Sequence, residues 1–130
     1  LNNNLIDIFS NVYRYNPDMI RLIVTNSWSN RQKRSGKTEA HHHKTADWVV
    51  NAYLKVPENS GKLIIYPPNI DNNFGFEPSQ IDVKTDDVVV FPAWLYHGTE
   101  VSESDEDRIN MSYNIKIDIT SLDSNADYLV

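Results

Sequence analysis

The sequence predicts an all-β domain of short strands behind a single N-terminal helix. Three observations point there. From Met19 onward, short apolar and β-branched runs recur, separated by turn-forming clusters such as Pro57-Glu-Asn-Ser-Gly61. Helical spacing of apolar residues is confined to the first segment, where Leu5, Ile8, Phe9 and Val12 fall on one side. Arg108 to Ile119 alternates polar and apolar side chains with a period of two, the clearest strand pattern in the chain. A sandwich or barrel accommodates such a set of strands.

In order, Leu1 to Tyr15 is expected to be helical, with the asparagines ahead of Leu5 offering caps, and Asn16-Pro17-Asp18 ends it. Met19 to Trp28 reads as a strand and Ser29 to Ala40 as a polar loop or wide hairpin. Strands follow at Trp48–Val56 and Lys62–Tyr66, the latter stopped by Pro67-Pro68. Asn69 to Gln80 is a longer loop in which Phe74 and Phe76 are candidates for a flap over substrate, or for pinning the loop to the core. A brief strand at Ile81–Val83, a buried one at Val88–Phe91 and another at His97–Val101 lead to Arg108–Ile119. Ser121 to Val130 carries no clear pattern. Trp28, Trp48 and Trp94 read as packing residues ahead of substrate platforms.

At 130 residues the chain is long enough for one core and too short for two, so a single domain over 1–130 is expected. It lacks an initiating Met, which suggests trimming at the N-terminus. No apolar run approaches the roughly 20 residues that span a membrane. With no signal-like segment either, a cytoplasmic setting is the expectation. The absence of cysteine excludes disulfides and thiolate metal sites. A net charge of −6 argues against a general nucleic-acid binder. Charge is uneven, with acids from Glu100 to Asp107 and a basic block of Arg31, Lys33, Arg34 and Lys37. Both read as solvated loops, although the basic block runs into the histidines and would there guide an anionic ligand.

All four histidines lie in two stretches, Glu39-Ala-His-His-His-Lys44 and Phe91-Pro-Ala-Trp-Leu-Tyr-His97. In an extended segment His41 and His43 point the same way while His42 points elsewhere, so His41, His43 and His97 are candidate metal ligands. Imidazole suits iron, copper, zinc and nickel alike, and an exposed histidine loop is the alternative. In the last strand Arg108, Asn110, Ser112 and Asn114 share one face, while Ile109, Met111, Tyr113 and Ile115 share the other. That polar row either faces solvent, the commoner case, or lines a cavity.

From Trp28 to Asn114 the chain resembles the iron(II)- and 2-oxoglutarate-dependent oxygenases, in particular those related to prolyl hydroxylases. The resemblance is carried, in order, by His41-His-His43, Ala52-Tyr53-Leu54, Ser60-Gly61-Lys-Leu-Ile-Ile65, Phe91-Pro92 to His97, and Arg108-Ile-Asn-Met-Ser-Tyr-Asn114. It implies a double-stranded β-helix, or jelly roll, holding Fe(II) near one open end. It implies that His41, His43 and His97 are ligands and that Arg108 and Tyr53 hold the far carboxylate of 2-oxoglutarate. Ser112 and Asn114 would then approach the co-substrate or the open metal positions. The implied activity is that of a dioxygenase hydroxylating a substrate, a peptidyl side chain being the prolyl-hydroxylase-like choice, with O2 as co-substrate. The family places Asp or Glu where this chain has His43. Two other readings therefore stand beside it. One is a three-histidine cupin-type metalloenzyme that does not use 2-oxoglutarate, in which Asp47 would be a fourth ligand although Trp94 replaces the cupin glycine. The other is a non-catalytic jelly-roll module.

Overall fold

The computed structural model describes residues 2–68 and 77–119. Phe74, Phe76 and the tail 121–130, singled out or left open above, lie outside the described residues. The chain divides into two units, residues 1–23 with 116–130 and residues 24–115.

In the first unit, helix α1 (Asn2–Asn11) buries Leu5 and Phe9, and the Phe9 ring meets Tyr13 and Tyr15 at 5.9 and 6.5 Å between centroids. The helix is shorter than its apolar spacing suggests. Val12 lies past its last residue and is 65% exposed, and Arg14 turns the chain through a positive φ of 61°. A 3-10 turn, Pro17–Met19, follows, with the Asn16 side chain accepting from the Asp18 N–H. Arg21 and Asp118 pair at 2.7 Å. No helix among the described residues is long and apolar enough to cross a membrane.

The strands are β1 (Ile20–Gln32), β2 (Trp48–Lys55), β3 (Leu63–Ile65), β4 (Ser79–Ile81), β5 (Val88–Pro92), β6 (His97–Thr99) and β7 (Arg108–Ile119). They form a four-stranded sheet in the order β1-β7-β2-β5 and a three-stranded sheet in the order β4-β3-β6. This non-sequential order across two sheets is a jelly roll. β2 lies centrally, antiparallel to both β5 and β7, with Asn51 opposite Ser112 and Val49 opposite Asn114.

Three strands differ from the sequence reading by two residues or more. β1 runs on through Ser29–Gln32, which is polar and reads as loop, because its alternate side chains enter the interior. β4 is Ser79–Ile81, two residues earlier than expected, so Val83 packs from a loop rather than a strand. β6 ends at Thr99, two residues before the expected Val101.

Among the described residues the interior of the second unit includes two apolar clusters. One is Val49, Phe91 and Ala93; the other is Tyr53, Leu63 and Val83. The polar row of β7 is also interior. Arg108, Asn110, Ser112 and Asn114 are 2–7% exposed, whereas Ile109, Met111 and Tyr113 on the opposite face are only half-buried. The face that hydropathy would turn to water is the one turned inward.

Candidate active site

The histidine segment is an extended strip fastened on two sides. His41 and His97 exchange both backbone hydrogen bonds at 3.0 Å, and Thr99 N–H donates to Thr38 O at 3.0 Å. On the far side His43 N–H donates to Ala93 O at 2.8 Å. Gly98 permits this close approach, since a Cβ there would sit 2.8 Å from Thr38 O. The strip alternates, so His41 and His43 turn inward while the His42 ring packs on Tyr96 at 4.7 Å.

One ring nitrogen from each of His41, His43 and His97 lies within 4.8 Å of the other two. In each ring Nδ1 sits on a carbonyl-type oxygen: Glu39 O at 2.8 Å, Asn114 Oδ1 at 2.7 Å and Leu95 O at 2.9 Å, respectively. Nδ1 therefore carries the proton, and Nε2 presents a lone pair. His43 Nε2 is buried without any partner. Burial lowers the basicity of His43, and it brings His97 down to about 4, so both rings are neutral near pH 7. Three imidazoles with converging Nε2 atoms, one of them buried and unsatisfied, form a donor set that fits a divalent cation. Among the described residues no carboxylate joins them, and Asp47 is not part of the cluster.

The histidines open on a cavity of about 90 Å³ that Trp28, Asn51, Tyr53, Arg108 and Ser112 help to line. Arg108 is 2% exposed, yet its partners are neutral: Gly61 O and Gln32 Oε1, each at 2.7 Å. Its Nε has no partner, and no carboxylate pairs with it among the described residues. The guanidinium lies 5.9 Å from the centroid of the Tyr53 ring. Burial pulls its basicity down and pushes the Tyr53 phenol up, so Tyr53 remains a protonated donor. A buried cation without a counter-ion is costly, and an anion at this end of the cavity would offset that cost.

Between the two ends, Ser112 Oγ donates to Asn51 Oδ1 at 2.7 Å and accepts from Asn30 at 2.9 Å and Asn110 at 3.2 Å. Its hydrogen-bonding capacity is filled by protein. Asn114 contacts His43 and does not line the cavity.

Sequence reasoning missed Asn30, Asn51 and Gln32, and preferred packing to a place in the site for Trp28. Trp28 stacks on the His43 ring at 5.5 Å and lines the cavity. The one signal in the sequence was parity, since Asn30 and Gln32 lie at even steps from Trp28 and share its face of β1. Trp94, also expected to pack, is 58% exposed. Arg31 and Arg34 of the basic block pair with Asp107 and Asp105 of the acidic turn, Lys37 pairs with Glu39 beside the histidines, and none of these three lines the cavity.

Comparison with known proteins agrees with this architecture. Residues 26–114 match the family described as "Putative 2OG-Fe(II) oxygenase". Among solved structures, a 2OG-Fe(II) oxygenase family oxidoreductase from Burkholderia pseudomallei superposes with a TM-score of 0.65 at 12% identity, over 88% of this chain and 57% of that one. The non-heme α-ketoglutarate-dependent epimerase SnoN from nogalamycin biosynthesis gives 0.63 at 15% identity, over 84% and 57%. HygX from Streptomyces hygroscopicus, with nickel and 2-oxoglutarate bound, gives 0.57 at 14% identity, over 73% and 56%. The chain thus spans little more than half the length of each. No curated protein matches it by sequence. The family match covers both histidine stretches and the row from Arg108 to Asn114, and the chain belongs to the 2OG-Fe(II) oxygenase family.

Proposed function

We propose that this chain is an Fe(II)- and 2-oxoglutarate-dependent dioxygenase that hydroxylates a substrate, with His41, His43 and His97 holding the metal. The observation that carries the reading is Arg108: a buried guanidinium with only neutral partners, in the same cavity as three converging imidazole nitrogens. A dicarboxylate bound at both ends would supply the charge that each end lacks. Arg108 would take its far carboxylate through paired N–H donors, with the Tyr53 hydroxyl as an added donor. Gln32 and Gly61 hold the guanidinium in place, and the filled network around Ser112 keeps the carboxamides of Asn30, Asn51 and Asn110 from turning. Bound iron(II) would supply the redox chemistry that couples oxidation of 2-oxoglutarate by O2 to oxidation of the substrate. The protein contributes position, charge and exclusion of water. Hydroxylation of a peptidyl side chain in the cytoplasm is the substrate and setting suggested by the prolyl-hydroxylase resemblance.

The donor set itself favours a second reading. Three neutral imidazoles leave the metal one unit more positive than the family's two histidines and a carboxylate would, as in three-histidine cupin-type enzymes that do not use 2-oxoglutarate. Arg108 separates the two, because only the first requires a cation at that end. Anaerobic titration with Fe(II) and then 2-oxoglutarate is the direct test. A visible charge-transfer band that needs both components is expected. Bound iron with no such band in the folded protein would overturn the first reading.

A further inference from the structure

We propose that Asn114 is a positioning residue for His43: its side-chain oxygen selects the ring tautomer that turns the Nε2 lone pair toward His41 and His97. The proposal rests on the reading of His43 as a metal ligand and concerns how this chain makes a neutral side chain serve there.

The three rings are oriented differently. His41 and His97 give their Nδ1 protons to backbone oxygens, Glu39 O and Leu95 O, which no side-chain substitution removes. Only His43 depends on another side chain, through the 2.7 Å contact from Nδ1 to Asn114 Oδ1. Asn114 is 6% exposed, and its backbone is held within the sheet. Its backbone pairs with Val49 on β2, and its carbonyl accepts from Thr25 Oγ1 at 3.3 Å. The His43 ring is confined further by Trp28, stacked at 5.5 Å with planes 19° apart, and by its own N–H on Ala93 O. With position so restricted, the remaining freedom is which nitrogen carries the proton.

An imidazole in the other tautomer would bury an N–H at Nε2, where no protein acceptor exists. It would also set a bare Nδ1 against the Asn114 oxygen. Asn114 Oδ1 removes that state by accepting from Nδ1–H. The amide is also uncharged, so it fixes the tautomer without drawing the proton away, and His43 stays a neutral ligand. Leucine would fill similar space with no acceptor. Aspartate would keep the acceptor and add a negative charge.

The test is Co(II) affinity of the purified protein, read by its visible d–d absorption, together with the thermal midpoint of metal-free protein. Asn114→Ala and Asn114→Leu are expected to weaken Co(II) binding by about 10–100-fold, the usual range for a ligand's hydrogen-bond partner, while Asn114→Asp retains it. Using two apolar replacements keeps the test decisive if one fails to fold. Co(II) affinity unchanged in a folded apolar variant, or lost equally in Asn114→Asp, overturns the proposal. A double-mutant cycle gives an independent check. In a His43→Ala background, Asn114→Ala should weaken Co(II) no further, and a second loss as large as in the parent protein overturns the proposal. If His43→Ala itself leaves affinity unchanged, the ligand assignment fails first, and the two failures are told apart.

Discussion

The side-chain oxygen of Gln32 lies 2.7 Å from Nη2 of Arg108, and the same oxygen accepts from the Thr99 hydroxyl at 3.0 Å. The end of β1 thus sets the aim of the first residue of β7. Arg108→Ala is expected to weaken 2-oxoglutarate binding on the order of 100-fold or more, with metal affinity nearly unchanged. Gln32→Leu leaves the guanidinium held by Gly61 O alone, so it should cost about 2 kcal/mol of stability and weaken 2-oxoglutarate binding less than Arg108→Ala does. Calorimetric titration of each variant, with metal and with co-substrate, checks the pair. Equal loss of both ligands in Arg108→Ala would contradict the assignment.

The inward and outward members of the histidine strip should separate cleanly. Alanine at His41, His43 or His97 is expected to weaken metal binding enough that dialysis strips the protein, while titration still measures the residual affinity. His42→Ala should leave metal binding unaltered, because that ring packs on Tyr96 outside the cluster. Metal content after dialysis distinguishes them, and a loss in His42→Ala would mean that the strip does not alternate as described.

Gly98→Ala probes the fastening between the strip and β6. Its Cβ would meet Thr38 O at 2.8 Å, a backbone atom that cannot rotate away. Overpacking of this kind costs about 1–3 kcal/mol, and here the strain falls on the bonds that hold His41 against His97. Both the thermal midpoint and metal affinity are expected to fall. A full-affinity Gly98→Ala variant would show that the strip tolerates separation from β6.

Protonation gives a fourth check on metal-stripped protein. His97 is held at about 4 by burial, below its ordinary value of 6.5. Between those values the unfolded chain binds more protons than the folded one. The contribution to stability is therefore complete above pH 6.5 and is lost as pH falls toward 4. Urea midpoints of stripped protein should drop across that window, and His97→Gln should flatten the upper part of the drop, where carboxylates do not yet titrate. An unchanged slope in His97→Gln would contradict the burial-driven shift.

Much of this was legible in the residues. β7 has the same ends in sequence and structure because its alternation is uninterrupted. The inward turn of His41 and His43 follows from the period of an extended chain. Two things were harder to read. Asn30 and Gln32 lie in a polar stretch that resembles a loop until its partners, Ser112 and Arg108, are in place across a gap of more than seventy residues. Asn114 sits at a position where family likeness suggests contact with co-substrate, and only the fold shows its oxygen on His43.

The inward polar row of β7 also has a consequence for how this protein can change. Asn110 and Ser112 occupy interior positions where valine or isoleucine would pack and pair well in a strand. A laboratory selection rewarded for heat resistance alone would drift toward filling that row, gaining a tighter interior and closing the cavity between Arg108 and the histidines. A more robust version of this fold would be a solid one, and the polar row gives up stability in exchange for space.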